Sequence, residues 1–140
     1  LFPERRDFKS IYNVMEYGIT RLGLSNNFSK EAETFFKNKE FQKAIEIWEK
    51  SSELLPQEEA YYLNISQSYI ALSQNEKAIK YLKIIKEENL IGNDGKYEFL
   101  MGLYNLALQK YSVACSYLKS SRSKGSIESI SVMNLLECSN

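Results

Sequence analysis

An internal repeat of 34 residues constrains the fold of this chain more than any other feature of its sequence. Lys43-Ala44-Ile45 recurs as Lys77-Ala78-Ile79, and a third copy at a shift of 36 places Tyr111-Ser112-Val113-Ala114 opposite the segment that ends in Ala78. Self-similarity at a period of 20 to 50 residues is typical of stacked supersecondary units. The sequence therefore predicts an array of similar units.

Each unit is predicted to contain two antiparallel helices. Apolar residues recur every three or four positions between Phe41 and Leu55 and again between Tyr62 and Leu72, which is the spacing of a helix with one buried face. The breaks between paired helices are only a few residues long, so neighbouring helices run antiparallel. The turn formers of Ile91–Gly95 form a loop that absorbs the two extra residues of the third copy. The pattern predicts eight helices, near residues 6–22, 28–38, 41–54, 58–72, 75–88, 95–108, 111–123 and 126–137.

Charge and hydropathy disfavour nucleic acids and membranes as partners. The 18 basic residues equal the 18 acidic ones, so the chain has no net charge that would attract a phosphate backbone. No apolar run approaches the roughly 18 residues of a membrane span, so no direct membrane insertion is expected. We expect a soluble protein, with a cytoplasmic location slightly preferred. The start at Leu1 suggests a piece of a longer protein, which leaves a periplasmic or membrane-tethered location as the alternative.

The residues available for chemistry favour a non-catalytic protein without metal or cofactor. The chain contains no histidine, the commonest general base, and its two cysteines lack the CxxC spacing of a zinc site. We interpret Cys115 and Cys138 as two small helix residues without a role, with a disulfide or a regulatory thiol as alternatives. The adjacent carboxylates of Glu58-Glu59 and Glu87-Glu88 point in different directions on a helix, so we interpret them as solvated helix-end charges.

The repeated units resemble the tetratricopeptide repeat (TPR). In the second unit Tyr62, Ile65, Ser66 and Tyr69 stand where the family has its tryptophan, leucine, glycine and tyrosine, and Ala78 stands at the alanine of its second helix. The resemblance implies an all-α fold, an α-solenoid of antiparallel helix pairs (a TPR-like superhelix) with about three repeats plus flanking helices. The equivalent residues in the other units are Phe28, Ala32, Phe35, Phe41, Ala44, Trp48 and Pro56, and Met101, Gly102, Tyr111, Ala114 and Leu118.

The repeats predict three parts of the chain. Residues 1–24 form an N-terminal helix, either the end of an upstream repeat or a helix that lies in the groove. Residues 25–126 hold three TPR-like repeats, at 25–58, 59–92 and 93–126. Residues 127–140 form a C-terminal capping helix, because a stripe of Ile127, Ile130, Met133 and Leu136 at helical spacing is suited to covering the last pair.

The resemblance also implies a function, namely binding of another protein in a concave groove lined by the first helix of each repeat. The groove positions become more apolar toward the third repeat, so the expected ligand is an extended peptide or an amphipathic helix. A helix of the chain itself or a second copy of the chain is the alternative occupant. The expected partner-binding residues are Asn64, Gln67, Lys96, Phe99, Leu100, Leu103 and Leu106.

The residues at the groove positions disfavour the binding of acidic chaperone tails. Family members that hold acidic chaperone tails use a clamp of basic residues and asparagines, of which this chain keeps only Asn64 and Lys96. Ser29, Glu33 and Leu100 occupy the other clamp positions, so most of the positive charge that holds a terminal carboxylate is missing. The alternative function is that of a regulatory or targeting domain of a larger enzyme or membrane-associated assembly.

Overall fold

The computed structural model describes the backbone of residues 5–139, and the side chains of residue 18 and residues 20–139. This part of the chain contains seven α-helices and no strand, which confirms the all-α prediction. None of these helices has the length and apolar character to cross a membrane. The helices are α1 (Arg5–Lys37), α2 (Phe41–Leu54), α3 (Glu59–Ala71), α4 (Asn75–Glu87), α5 (Lys96–Ala107), α6 (Tyr111–Ser123) and α7 (Glu128–Leu135).

The helices pack as successive antiparallel pairs. Helix α1 packs on α2, α3 on α4, and α5 on α6. The pairs stack through contacts of α2 with α3, of α4 with α5 and of α3 with α5, while α7 packs on α6. Because the main contacts join neighbouring elements, the fold is a linear solenoid whose core runs along the stack.

The same turn joins the two helices of every pair. Lys39, Ser73 and Gln109 stand at equivalent repeat positions and all adopt the left-handed conformation, with φ of 62°, 59° and 60°. In the first pair the Glu40 N–H donates to the Phe35 carbonyl at 2.8 Å, as in a Schellman motif, and the other two pairs repeat this bond. The repeat therefore sets the turn as well as the helices.

Small residues lie where the paired helices approach each other, as the repeat pattern predicts. A Cβ atom built on Gly102 would lie 2.8 Å from Leu118 Cδ2, which is closer than packed carbon atoms allow. Close packing of α5 on α6 therefore depends on the missing side chain at this position. Two repeat positions hold small residues, and all six are buried: Ala32, Ser66 and Gly102 in the first helices, and Ala44, Ala78 and Ala114 in the second helices.

The predicted break between helices at residues 23–27 is wrong, because α1 runs without interruption for 33 residues. Ser25 lies at its closest approach to α2: the Ser51 hydroxyl donates to the Ser25 carbonyl at 3.1 Å, and the Ser25 hydroxyl lies 3.2 Å from the Ser51 carbonyl. The Arg21 guanidinium donates to the Leu54 carbonyl. These contacts outweigh the weak helix propensity of this segment, and the domain division proposed after residue 24 falls inside one helix.

The capping helix α7 packs with a different face from the predicted one. Met133 is buried, but Ile127 is 74% exposed and Ile130 is 43% exposed, so the stripe prediction is wrong for these two isoleucines. The turn before α7 explains the difference, because the Ser129 hydroxyl donates to the Ser126 carbonyl at 2.6 Å and both serines are buried. This bond orients Ser129 and Met133 toward the stack.

A disulfide joins Cys115 of α6 to Cys138, which follows α7. The interpretation of the cysteines as unlinked helix residues is therefore wrong, and the disulfide alternative is the observed one. The two positions are separated by 23 residues, so the bond closes a loop that contains all of α7. Disulfides persist mainly in oxidising compartments.

Candidate functional site

A groove of about 550 Å³ lies along the first helices of the helix pairs. Its walls come from Glu33 near the end of α1, from α3 as far as Gln67, from the start of α5 and from the turn that leads into α7. Four alternate elements of the solenoid therefore contribute to one surface, although their residues are far apart in the sequence.

Five of the seven predicted partner-binding residues line this groove, and they are Asn64, Gln67, Lys96, Phe99 and Leu100. Leu103 and Leu106 do not line it. Leu103 lies four residues beyond Phe99 on α5 and packs partly against the core cluster of the second and third pairs. The groove therefore ends before the apolar half of α5, and the two leucines are not brought together with the other five.

The floor of the groove is apolar and firmly packed. Leu63 and Leu100 are 5% and 4% exposed and belong to the same core cluster, against which the half-buried Phe99 packs. Asn64 and Gln67 extend from α3 beside this floor. Amide side chains both donate and accept hydrogen bonds, so the groove offers apolar contact together with groups that can bond to a peptide backbone.

The rim of the groove is acidic. Glu33, Glu58, Glu59, Asp94 and Glu128 line it, whereas Lys96 is the one basic residue among the lining residues. The Lys96 amine lies 3.9 Å from an Asp94 carboxylate oxygen. A chain of zero net charge thus collects five carboxylates against one amine in its groove. The sequence-based interpretation of Glu58 and Glu59 as merely solvated charges missed this collection.

The repeat itself carries the signal that predicts this rim. Glu58, Asp94 and Glu128 stand at equivalent positions, separated by shifts of 36 and 34 residues. Glu58 directly precedes α3, Asp94 lies two residues before α5, and Glu128 is the first residue of α7. Because the pairs stack in register, the carboxylates of these three elements lie along one edge of the array. We call these three residues the carboxylate row.

Three rim carboxylates accept hydrogen bonds, and one of them, Asp94, accepts the backbone N–H of Lys96 at 3.1 Å. Glu59 accepts the backbone N–H of Gly92 at 2.8 Å, and burial raises the pKa of its carboxyl above the ordinary value although the Gly92 bond opposes that rise. Glu128 accepts the Ser126 hydroxyl at 3.0 Å. The backbone N–H of Glu128 itself, followed by this hydroxyl, lowers the pKa of its carboxyl. Glu128 is therefore charged at neutral pH.

The groove offers binding groups rather than a recognisable set of reacting ones. Within residues 18–139 no cluster of histidine, cysteine, aspartate and glutamate is arranged to hold a metal ion. The carboxylates of the row belong to different elements of the stack. What the described residues provide is charge, hydrogen bonding and an apolar floor.

The stack of helix pairs, with one type of turn and small residues at each crossing, is the tetratricopeptide-repeat fold, and comparison with solved structures confirms it. The Arabidopsis OM64 TPR domain is 15% identical with a TM-score of 0.74, over 84% of this chain and 97% of that one. The Sgt2 TPR domain from Aspergillus fumigatus is 20% identical with a TM-score of 0.70, over 81% of this chain and 76% of that one.

A third similar structure contains a bound peptide. The second TPR domain of human RPAP3, in complex with the HSP70 peptide SGPTIEEVD, is 17% identical with a TM-score of 0.70, over 84% of this chain and 98% of that one. Comparison of the sequence with protein-family models gives no match, and comparison with curated proteins gives none either. At these identities the likeness shows the fold alone.

Proposed function

We propose that this chain is a non-catalytic protein-interaction module that binds a segment of a partner polypeptide in the groove. The observation that carries the proposal is the combination of a concave volume of about 550 Å³ with an apolar floor and fixed polar walls. A protein of the same fold, the second TPR domain of human RPAP3, binds a peptide. The fold therefore has a precedent for this kind of ligand.

The groove residues suit a short extended segment. Phe99 offers a half-buried ring to an apolar side chain of the ligand, and the surrounding core keeps that ring in place. Asn64 and Gln67 lie one turn apart on α3, so their amides can bond to successive peptide groups of the ligand. Apolar contact then supplies most of the affinity, while the amides fix the register of the bound segment.

The proposal is tested by capture of a partner from native lysate with three immobilised proteins. The wild type is compared with an Asn64→Ala, Gln67→Ala variant, which alters the groove wall at two positions outside the buried core. A Val113→Ala variant is the control, because Val113 is 44% exposed on α6 and lies outside the groove. Circular dichroism establishes that all three are folded.

We expect a protein that binds to the wild type and to Val113→Ala and is depleted several-fold with the groove variant. Chemical cross-linking of that protein to α3 or α5 would place it in the groove. Equal capture by all three proteins, with cross-links elsewhere on the chain, would refute the proposal.

A further inference from the structure

We propose that the partner segment is cationic, with lysine or arginine side chains that pair with the carboxylate row. This inference rests on the proposed function and adds the chemistry of the ligand. The proposed ligand has the opposite charge to the HSP70 peptide that is bound to the second RPAP3 domain. That peptide ends in Glu-Glu-Val-Asp. The groove of this chain would repel such an acidic end.

The charge balance of the groove is the first argument. Five carboxylates and one amine leave an excess of four negative charges, and the amine of Lys96 already lies beside Asp94. A bound anionic segment would force like charges together as water leaves the groove, which is costly. A cationic segment would replace the lost water with opposite charge.

The rim carboxylates are also left available for a ligand. Within residues 18–139 no lysine or arginine lies at ion-pair distance from Glu33 or Glu58. Both side chains are exposed at the groove edge. A chain that needed these carboxylates for its own stability would pair them, as it pairs Glu98 with Lys124 at 2.6 Å. Among the described residues no cation compensates their charge, which is therefore available to a ligand.

The floor beneath the row suits the same kind of side chain. Lysine and arginine carry apolar stems that cover apolar surface while the charged end reaches a polar group. Leu63 and Phe99 supply that surface, and the carboxylates of Glu58 and Asp94 lie at its edge. A lysine or arginine side chain laid across the floor would thus cover the apolar residues with its stem and pair with a rim carboxylate through its charged end.

One helix outside the groove, α4, is rich in exposed lysines. Lys77, Lys80, Lys83 and Lys86 recur every third residue along α4, and all four are exposed outside the groove. The described residues therefore form an acidic groove and, outside it, a helix with four exposed lysines and two glutamates. This polarity would orient an approaching cationic segment toward the groove and away from α4.

Two fluorescein-labelled synthetic peptides test the inference by fluorescence anisotropy. Both contain alternating leucine and charged positions, and the charged residues are lysine in one peptide and glutamate in the other. We expect the lysine peptide to bind at least about tenfold more tightly at low ionic strength, because complementary charge adds to a shared apolar contact. The difference should shrink as salt is added, since salt screens exposed charge pairs.

Matched variants distinguish the effect of the groove carboxylates on peptide binding from the effect of the net charge of the chain. Glu33→Gln, Glu58→Gln, Glu128→Gln neutralises three rim carboxylates, and leaves Glu59 and Asp94 because each accepts the backbone N–H of another residue, Gly92 or Lys96. The control neutralises three exposed carboxylates outside the groove by Glu46→Gln, Glu53→Gln, Glu87→Gln. We expect the rim variant to bind the lysine peptide about fivefold to tenfold more weakly, and the control within about twofold of wild type.

The outcomes distinguish the two proposals. Equal affinity for both peptides, reduced alike by Asn64→Ala, Gln67→Ala, would retain the groove as a binding site and overturn its cationic preference. Equal weakening by the rim variant and the control would assign the effect to net charge and also overturn it, as would no binding of the lysine peptide up to about 1 mM. Binding unaffected by every groove variant would overturn the proposed function itself.

Discussion

Replacing Gly102 by alanine should destabilise the chain, although the same change inside a helix is usually favourable. Gly102 lies within α5, where alanine exceeds glycine in helix propensity by about 1 kcal/mol. The new Cβ would lie 2.8 Å from Leu118 Cδ2 and 2.9 Å from Leu118 Cγ. Leu118 is fully buried and its Cγ atom is not a flexible end, so the helices must move apart.

The magnitude follows from these two opposed terms. Overpacking a well-filled core costs about 1–3 kcal/mol, and subtracting the gain in helix propensity leaves a net loss of about 1 kcal/mol in the free energy of unfolding. Gly23→Ala is the matched control, because Gly23 lies in α1 and a Cβ there meets no atom within 4 Å. That variant should gain about 1 kcal/mol.

Urea unfolding followed by circular dichroism measures both changes, and the two midpoints should move in opposite directions. A Leu118→Ala background provides a further check: it removes the clashing atoms, so Gly102→Ala should there become stabilising. The reasoning would be refuted if Gly102→Ala raised the midpoint as much as Gly23→Ala does, since the crossing of α5 and α6 would then tolerate a larger residue.

Three further changes test other parts of the structure. Reduction of the Cys115–Cys138 disulfide should lower the free energy of unfolding by about 3 kcal/mol, measured in urea with and without reductant, whereas a double serine variant should not respond to reductant. Burial raises the pKa of Glu59 above its ordinary value of 4.5, so the folded chain binds this proton more tightly than the unfolded chain does. The free energy that this carboxyl group contributes to folding is therefore most favourable below pH 4.5 and declines as the pH rises. Glu59→Gln should therefore gain stability relative to wild type between pH 4 and pH 7, and a constant difference would contradict the assignment. Tyr81→Phe removes a hydroxyl bond of 2.9 Å to Glu49 and should cost about 1.5 kcal/mol in thermal or urea unfolding, while an unchanged midpoint would show that the bond contributes nothing.

The helix pairs could be predicted because the repeat reports on packing directly. Ala44, Ala78 and Ala114 recur at shifts of 34 and 36, and each is fully buried where two helices cross. A residue that must be small at every crossing leaves a periodic trace in the sequence. The same periodicity predicts the short turns, and the two extra residues of the third copy predict the loop before α5.

The course of α1 could not be predicted from local sequence. Gly23, Asn26 and Asn27 are weak helix formers, and their cluster resembles a break between helices. Each costs a helix at most about 1 kcal/mol, whereas the bonds of Ser25 and Arg21 to α2 require the helix to continue. These partners lie about 30 residues away, so no window of local sequence reveals them.

The disulfide and the acidic rim were missed for a related reason. Two cysteines without a recognisable spacing do not reveal whether they meet, because that depends on how α7 folds back onto α6. Glu58, Asp94 and Glu128 look unrelated until they are aligned by the repeat shifts. Aligned by those shifts, the three carboxylates fall at one repeat position, and that alignment predicts the row.

The disulfide changes where such a linear stack begins to open. Helices at the end of a solenoid ordinarily fray first, because they have a neighbour on one side only. Helix α7 has eight residues and would be expected to exchange its amide hydrogens rapidly. The disulfide beyond the end of α7 holds this helix near α6, so detaching α7 gains less conformational entropy than detaching a free terminal helix would. In the oxidised chain, α7 should therefore resist proteolysis and amide exchange as if it belonged to the interior of the array.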